Sequence, residues 1–124
     1  MANLLSSIYI VDTLHDPTTT DRDSVLAREI KTSRPLYKVW IYLDGPSLPF
    51  VNKVTYHLHP TFPRPVQTIA RTPSNPNCKF SIWTWGIFTI RAVIEDKQRG
   101  IAEVEHYLTY DQELREPGLK IRKA

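Results

Sequence analysis

The ten residues from Phe50 to His59 constrain the fold more than any other stretch. Successive side chains of a strand point to opposite faces. Val51, Lys53, Thr55, His57 and His59 therefore fall on one face, and Phe50, Asn52, Val54, Tyr56 and Leu58 on the other. The second set is the more apolar and is expected to face a core. A strand with one apolar and one polar face belongs to an antiparallel sheet that is wet on one side.

The rest of the chain repeats this pattern in short pieces. Ten prolines against four glycines impose many fixed bends and leave little room for long helices. Six tyrosines, three tryptophans and four phenylalanines favour strands, as do the many Val, Ile and Thr residues. Strands are expected at Ser7 to Thr13, Ala27 to Lys31, Tyr37 to Leu43 and Val66 to Arg71. Another begins at Phe80 to Trp83, is interrupted near Gly86 and resumes from Phe88 to Glu95. The last clear strand runs from Ile101 to Tyr110, and the charged tail after it is expected to fray. Asp44-Gly45-Pro46, Pro60 to Pro65, Thr72 to Asn77 and Lys97 to Gly100 read as turns or loops. Seven to eight short strands in one chain of 124 residues predict an all-β, antiparallel β-sandwich. Residues 1–124 are expected to form a single domain.

The charge balance excludes little. The formal net charge is +3 and the pI about 9.1, but the 16 basic residues are scattered along the sequence. Dedicated nucleic-acid binding leaves a clustered basic footprint, and the sequence displays none. The densest group is Lys120, Arg122 and Lys123. A lone cysteine, Cys78, permits no intrachain disulfide and points toward a reducing compartment. No apolar run approaches the roughly 20 residues of a membrane-crossing helix, and the first residues lack the pattern of a signal peptide. An intracellular, soluble chain with no membrane partner is expected.

Catalytic chemistry finds little support. The sequence has no glycine-rich phosphate loop, no Gly-x-Ser-x-Gly elbow and no Cys-x-x-Cys pair. His57 and His59 share a strand face, but a metal site would need two further ligands that the sequence does not place. No enzyme activity, metal or cofactor is expected. The informative stretches are aromatic. Phe62 sits in a turn fenced by Pro60, Pro63 and Pro65, and Trp85 precedes Gly86 at a strand break. Loops at one end of a sandwich are common binding sites. The plainer reading makes Phe62, Trp83, Trp85 and Phe88 core residues; Trp83 and Phe88 fit it best.

These stretches resemble the signature of YEATS domains. Val54-Thr55-Tyr56-His57-Leu58-His59-Pro60-Thr61-Phe62-Pro63-Arg64-Pro65 is similar to the family's apolar strand, Leu-His, Ser/Thr-Phe and proline turn. Asp44-Gly45-Pro46 resembles its preceding Gly-Pro turn, and Trp85-Gly86-Ile87-Phe88 its aromatic-Gly-x-Phe loop. The best-matched core is residues 37–110, with residues 1–36 as an N-terminal extension and 111–124 as the tail. Divergence elsewhere suggests the prokaryotic branch, and hence the cytoplasm; a eukaryotic member would be nuclear.

The resemblance implies an immunoglobulin-like sandwich that reads acetyl- or crotonyl-lysine on a protein partner. Phe62 and Trp85 would hold the flat acyl group, Thr61 would offer its hydroxyl to the acyl amide, and the Trp85 N–H would bind the acyl carbonyl. His59 would support the wall, and Gly86 and Phe88 would shape the open end. Thr84 stands where the family usually has glycine, which would narrow the site. The upstream aromatic of reader domains has no counterpart in residues 32–36, and the nearest ring is Tyr37. The alternative is a protein-interaction or structural sandwich that has lost acyl-lysine binding. A reader needs Phe62 and Trp85 accessible; a structural module needs them filled in.

Overall fold

Residues 7–18, 24–28, 35–117 and 119–123 are described by the computed structural model. Their strands are β1 (Tyr9–Thr13), β2 (Ser24–Arg28), β3 (Leu36–Asp44), β4 (Val51–His57), β5 (Val66–Ala70), β6 (Phe80–Thr84), β7 (Thr89–Asp96), β8 (Ile101–Tyr107) and β9 (Lys120–Lys123). A 3-10 turn occupies Leu48–Phe50, and a short helix, α1, spans Tyr110–Glu113. The strands form two sheets. One has the order β1-β3-β2-β9, with β6 also paired to β3; the other has the order β5-β4-β7-β8. The chain groups into two compact units. The first takes the described residues up to Val11, Tyr42–Lys79 and Phe88–Tyr107; the second takes those within Asp12–Ile41, Phe80–Ile87 and from Leu108 onward.

The first unit is built on the four-stranded sheet. β4 pairs antiparallel with β5 and β7, and β7 with β8. Val54, Tyr56, Ile90, Ala92 and Ile94 are fully buried along the inner face of β4 and β7. Each large side chain so placed removes its apolar surface from water, worth about 1.5–3 kcal/mol. The buried Tyr56 hydroxyl donates to the Cys78 carbonyl at 2.9 Å, and burial holds its phenol well above the usual range. The opposite face is polar: Thr55 meets Thr68 at 3.0 Å, Lys53 meets Glu95 at 3.4 Å, and Arg91 meets Glu103 at 3.2 Å.

The second unit holds most of the other sheet, and α1. β3 is antiparallel to β2 and β6, whereas β9 lies parallel to β2 with Val25 opposite Ile121 and Leu26 opposite Arg122. Val25, Val39, Ile41, Leu108 and Tyr110 are buried.

Several expectations need correction. Phe50, expected on the core face, is 54% exposed at the end of the 3-10 turn, and Val51 is buried in its stead. The cause is a bulge: Val51 pairs with Asp96 and Lys53 with Glu95, so Asn52 is left over and the face flips by one residue. From Val54 onward the expected alternation holds. The strand placed at Ala27 to Lys31 begins earlier, at Ser24, and residues 29–31 lie outside the described residues. The strand expected to be interrupted near Gly86 is two strands in different sheets, β6 and β7. The final strand stops at Tyr107 and Tyr110 opens α1. In the tail, residues 120–123 form β9, whose backbone groups are paired by β2, and the sheet containing it is therefore not wholly antiparallel.

Two measurements test this account. Gly45 has φ +119°, and a Cβ there would run into the Ser7 carbonyl oxygen and lie 3.1 Å from Ile8 Cα. Gly45→Ala is expected to cost ~2–4 kcal/mol, from positive φ plus a backbone clash. A urea unfolding midpoint equal to that of the parent chain would contradict it. Cys78 is fully buried, and burial raises its thiol to about 11, with Arg71 opposing weakly. A higher thiol pKa means less thiolate, on the order of one part in a thousand at about pH 8. The native chain should leave an aromatic disulfide reagent uncleaved at that pH and release one equivalent of thiolate on unfolding. Rapid native labelling would overturn the assignment.

Candidate functional site

In the first unit the loop after β4 is organised by its own backbone. The Leu58 N–H donates to the Pro65 carbonyl at 2.7 Å, closing the base, and the Phe62 N–H donates to the His59 carbonyl at 3.1 Å, closing the tip. Proline at 60, 63 and 65 fixes its own φ and has no N–H to satisfy, so the loop holds its shape with few bonds. The Thr61 N–H points to His59 Nδ1 at 3.3 Å, and the Thr61 hydroxyl lies 2.8 Å from the same nitrogen. An Nδ1 that accepts the backbone N–H carries no hydrogen of its own, so the ring proton is assigned to Nε2. The Thr61 hydroxyl then donates its hydrogen bond to His59 Nδ1 and keeps oxygen lone pairs for an external N–H. Phe62 is half-buried, and its ring meets that of Phe88 at 5.2 Å between centroids, tilted by 50°. Phe88 also receives the edge of His59 at 6.2 Å. One ring thus supports both the aromatic and the polar member of the loop.

In the second unit the turn after β6 presents Trp85, 53% exposed. Its backbone is anchored on both sides. Thr84 is buried, and its hydroxyl oxygen accepts the Gly86 N–H at 3.2 Å. The Tyr110 hydroxyl donates to the Gly86 carbonyl at 2.9 Å. Tyr110 is itself buried, which pushes its phenol up to about 12 despite an opposing contribution from the Thr84 side chain. Tyr110 is placed by the start of α1. The Asp12 carboxylate accepts the Thr109 N–H at 2.9 Å, the Thr109 hydroxyl at 3.0 Å and the Tyr110 N–H at 2.8 Å. A carboxylate on the first N–H groups of a helix satisfies donors that have no partner within the helix.

The residues singled out from the sequence therefore fall into two groups. His59, Thr61, Phe62 and Phe88 come together in the first unit, and Thr84, Trp85 and Gly86 in the second. Trp83, expected in the core, is only half-buried and lies under the guanidinium of Arg28 at 4.4 Å. Thr84 occupies the glycine position of the family pattern without positive φ, since Cys78 and Arg99 are the non-glycine residues with that conformation among the described residues. Around Gly86 a Cβ would meet nothing within 4 Å, so the space over the turn is open. Tyr37 packs near Tyr110 at 6.5 Å, and residues 32–34 lie outside the described residues. Tyr110 and Asp12 were missed. No local signal joins Asp12 to a helix 97 and 98 residues downstream; the one available hint was the acidic pair Asp111 and Glu113 after Thr109, a helix start.

Removing the Tyr110 hydroxyl leaves the Gly86 carbonyl without that donor. Tyr110→Phe should destabilise the chain by ~1–2 kcal/mol, read as a lower urea midpoint with unchanged slope. An unchanged midpoint would mean that the bond does not anchor the turn.

Comparison with known proteins places these features in context. The family model for the prokaryotic YEATS domain matches residues 37–109. No curated protein matches at a significant level. Among solved structures, the Yaf9 YEATS domain recognizing H3K122suc peptide aligns with a TM-score of 0.54 and 22% identity, covering 86% of this chain and 72% of that one. The Yaf9 YEATS domain bound to H3K27ac aligns at 0.52 and 21%, covering 82% and 69%. The yeast AF-9 homolog protein Yaf9 aligns at 0.51 and 18%, covering 84% and 71%. At these identities the likeness bears on the fold, the immunoglobulin-like β-sandwich of YEATS domains.

Proposed function

The chain belongs to the prokaryotic YEATS family, and we propose that it is a non-enzymatic reader of acylated lysine on a protein partner. The observation that carries the reading is the Thr61–His59 hydrogen bond, 2.8 Å long, beside the half-buried ring of Phe62. It orients a hydroxyl whose lone pairs suit the N–H of an acyl amide, next to an aromatic surface that suits the flat acyl group. The Yaf9 domains supply the analogy of ligand class: one recognizes H3K122suc peptide and another is bound to H3K27ac.

The chemistry of the ligand fits these groups. Acylation removes the lysine charge, so an apolar surface no longer repels the side chain. An ammonium would lose its hydration and gain no carboxylate. A planar amide or alkene on an aromatic ring gains ~0.5–1.5 kcal/mol beyond area burial. We assign one ring to Phe62 and one to Trp85, the amide acceptor to Thr61, and the donor for the acyl carbonyl to the Trp85 N–H. His59 orients Thr61, Phe88 supports Phe62, and Thr84 and Gly86 hold the turn that presents Trp85. No helix among the described residues is long and apolar enough to cross a membrane. Membership of the prokaryotic branch supports an acylated cytoplasmic protein as the proposed partner.

Titration with matched peptides carrying unmodified, acetylated and crotonylated lysine tests the reading, with tryptophan fluorescence as the signal. Saturable binding of the acylated forms alone is expected. Trp85→Ala and Phe62→Ala should abolish it in folded protein, and Thr61→Val should weaken it by ~1 kcal/mol or more, about fivefold. Equal affinity for all three peptides, or no binding at millimolar peptide, would replace the reader with an interaction or structural module.

A further inference from the structure

Basic residues that are scattered in the sequence are gathered on one face of the sheet in the second unit. Arg28 of β2 lies opposite Leu36, two residues before Lys38 of β3, and Lys38 lies opposite Trp83 of β6. Leu26, two residues before Arg28, lies opposite Arg122 of β9, and Lys120 is two residues before Arg122. Partners across a ladder, and residues two apart along a strand, share a face. Arg28, Lys38, Lys120 and Arg122 are therefore on one side, while the buried Val25, Ala27, Val39, Ile41 and Ile82 line the other. Two indoles lie among the cations. The Arg28 guanidinium is 4.4 Å from the Trp83 ring centre, and the Lys38 ammonium is 4.6 Å from that of Trp40.

β3 ends at Asp44, and the segments that carry these cations hold no carboxylate. Ser24–Arg28, residues 36–41, Phe80–Thr84 and Lys120–Lys123 contain neither Asp nor Glu. The wet face of the four-stranded sheet is different, because there Lys53 is offset by Glu95 and Arg91 by Glu103. A face of one sign repels itself and attracts polyanions.

We infer that this face binds single-stranded nucleic acid. Four cations would neutralise successive phosphates, and Trp40 and Trp83 would offer ring surface to bases, a contact worth ~1–3 kcal/mol per base. An acidic peptide would match the charge but leave the two indoles without a use, so the pairing of cations with rings favours nucleic acid. Whole-chain basicity, with a pI of about 9.1, points the same way. This function is independent of the acyl-lysine site.

The test uses the 124-residue chain and a fluorescein-labelled oligothymidylate of about 20 nucleotides, read by anisotropy at ~50 and ~200 mM salt. Saturable binding is expected, weakened about fiftyfold between the two salts, as neutralising about four phosphates of a single strand requires. The double variant Arg28→Glu, Lys38→Glu should lower affinity at least tenfold, and so should Lys120→Glu, Arg122→Glu, with far-UV circular dichroism unchanged. Trp83→Leu should weaken binding while leaving the salt slope intact. Absence of binding at the lower salt, or full affinity in both charge-reversed variants, would overturn the inference. Tighter binding of a polyglutamate peptide than of the oligonucleotide would also overturn it, in favour of an acidic protein partner.

Discussion

The Asp12 carboxylate is the interaction on which the second unit depends. It is nearly inaccessible to water, and a buried charge is costly unless its oxygens are fully engaged. Here they take two backbone N–H groups and one hydroxyl at the start of α1. That fixes Tyr110, whose hydroxyl fixes the Gly86 carbonyl, and Gly86 closes the turn that presents Trp85. An exposed indole is useful for recognition only if little order must be imposed on binding. Tertiary contacts made far from the ring provide that order in advance. Glu113 adds a second tie between the same segments, accepting from the Thr13 hydroxyl at 2.8 Å and the Leu14 N–H at 2.9 Å.

The first unit reaches the same end by a local route. Prolines restrict the loop between β4 and β5, a short turn brings Thr61 back to His59, and Phe88 supports the rings from β7's approach. Almost everything needed there lies within a few residues, which is why this loop was readable in advance. Thr84 illustrates the opposite case. From the sequence alone it is a bulky replacement for a glycine. In the fold its hydroxyl binds the Gly86 N–H, so the residue stabilises the turn without positive φ.

Charge distribution follows the same division. The two sheets differ in their polar faces: one pairs its charges across strands, and the other collects cations and indoles on segments of β2, β3, β6 and β9 that hold no carboxylate. Strand register, which sequence order conceals, decides which scattered residues become neighbours.

The sequence by itself determined the all-β class, most strand positions, the alternation from Val54 onward and the aromatic loops at Phe62 and Trp85. All of these rest on period-two patterning or on the fixed φ of proline, properties of residues close together in the chain. Tertiary structure alone decided the bulge that buries Val51 and exposes Phe50, the transfer from one sheet to the other between β6 and β7, and the pairing of β9 with β2. It alone placed Tyr110 beside Gly86 and Arg28 over Trp83. Each of these joins residues far apart in sequence or depends on which strand edge is left to pair, and no local pattern encodes that choice.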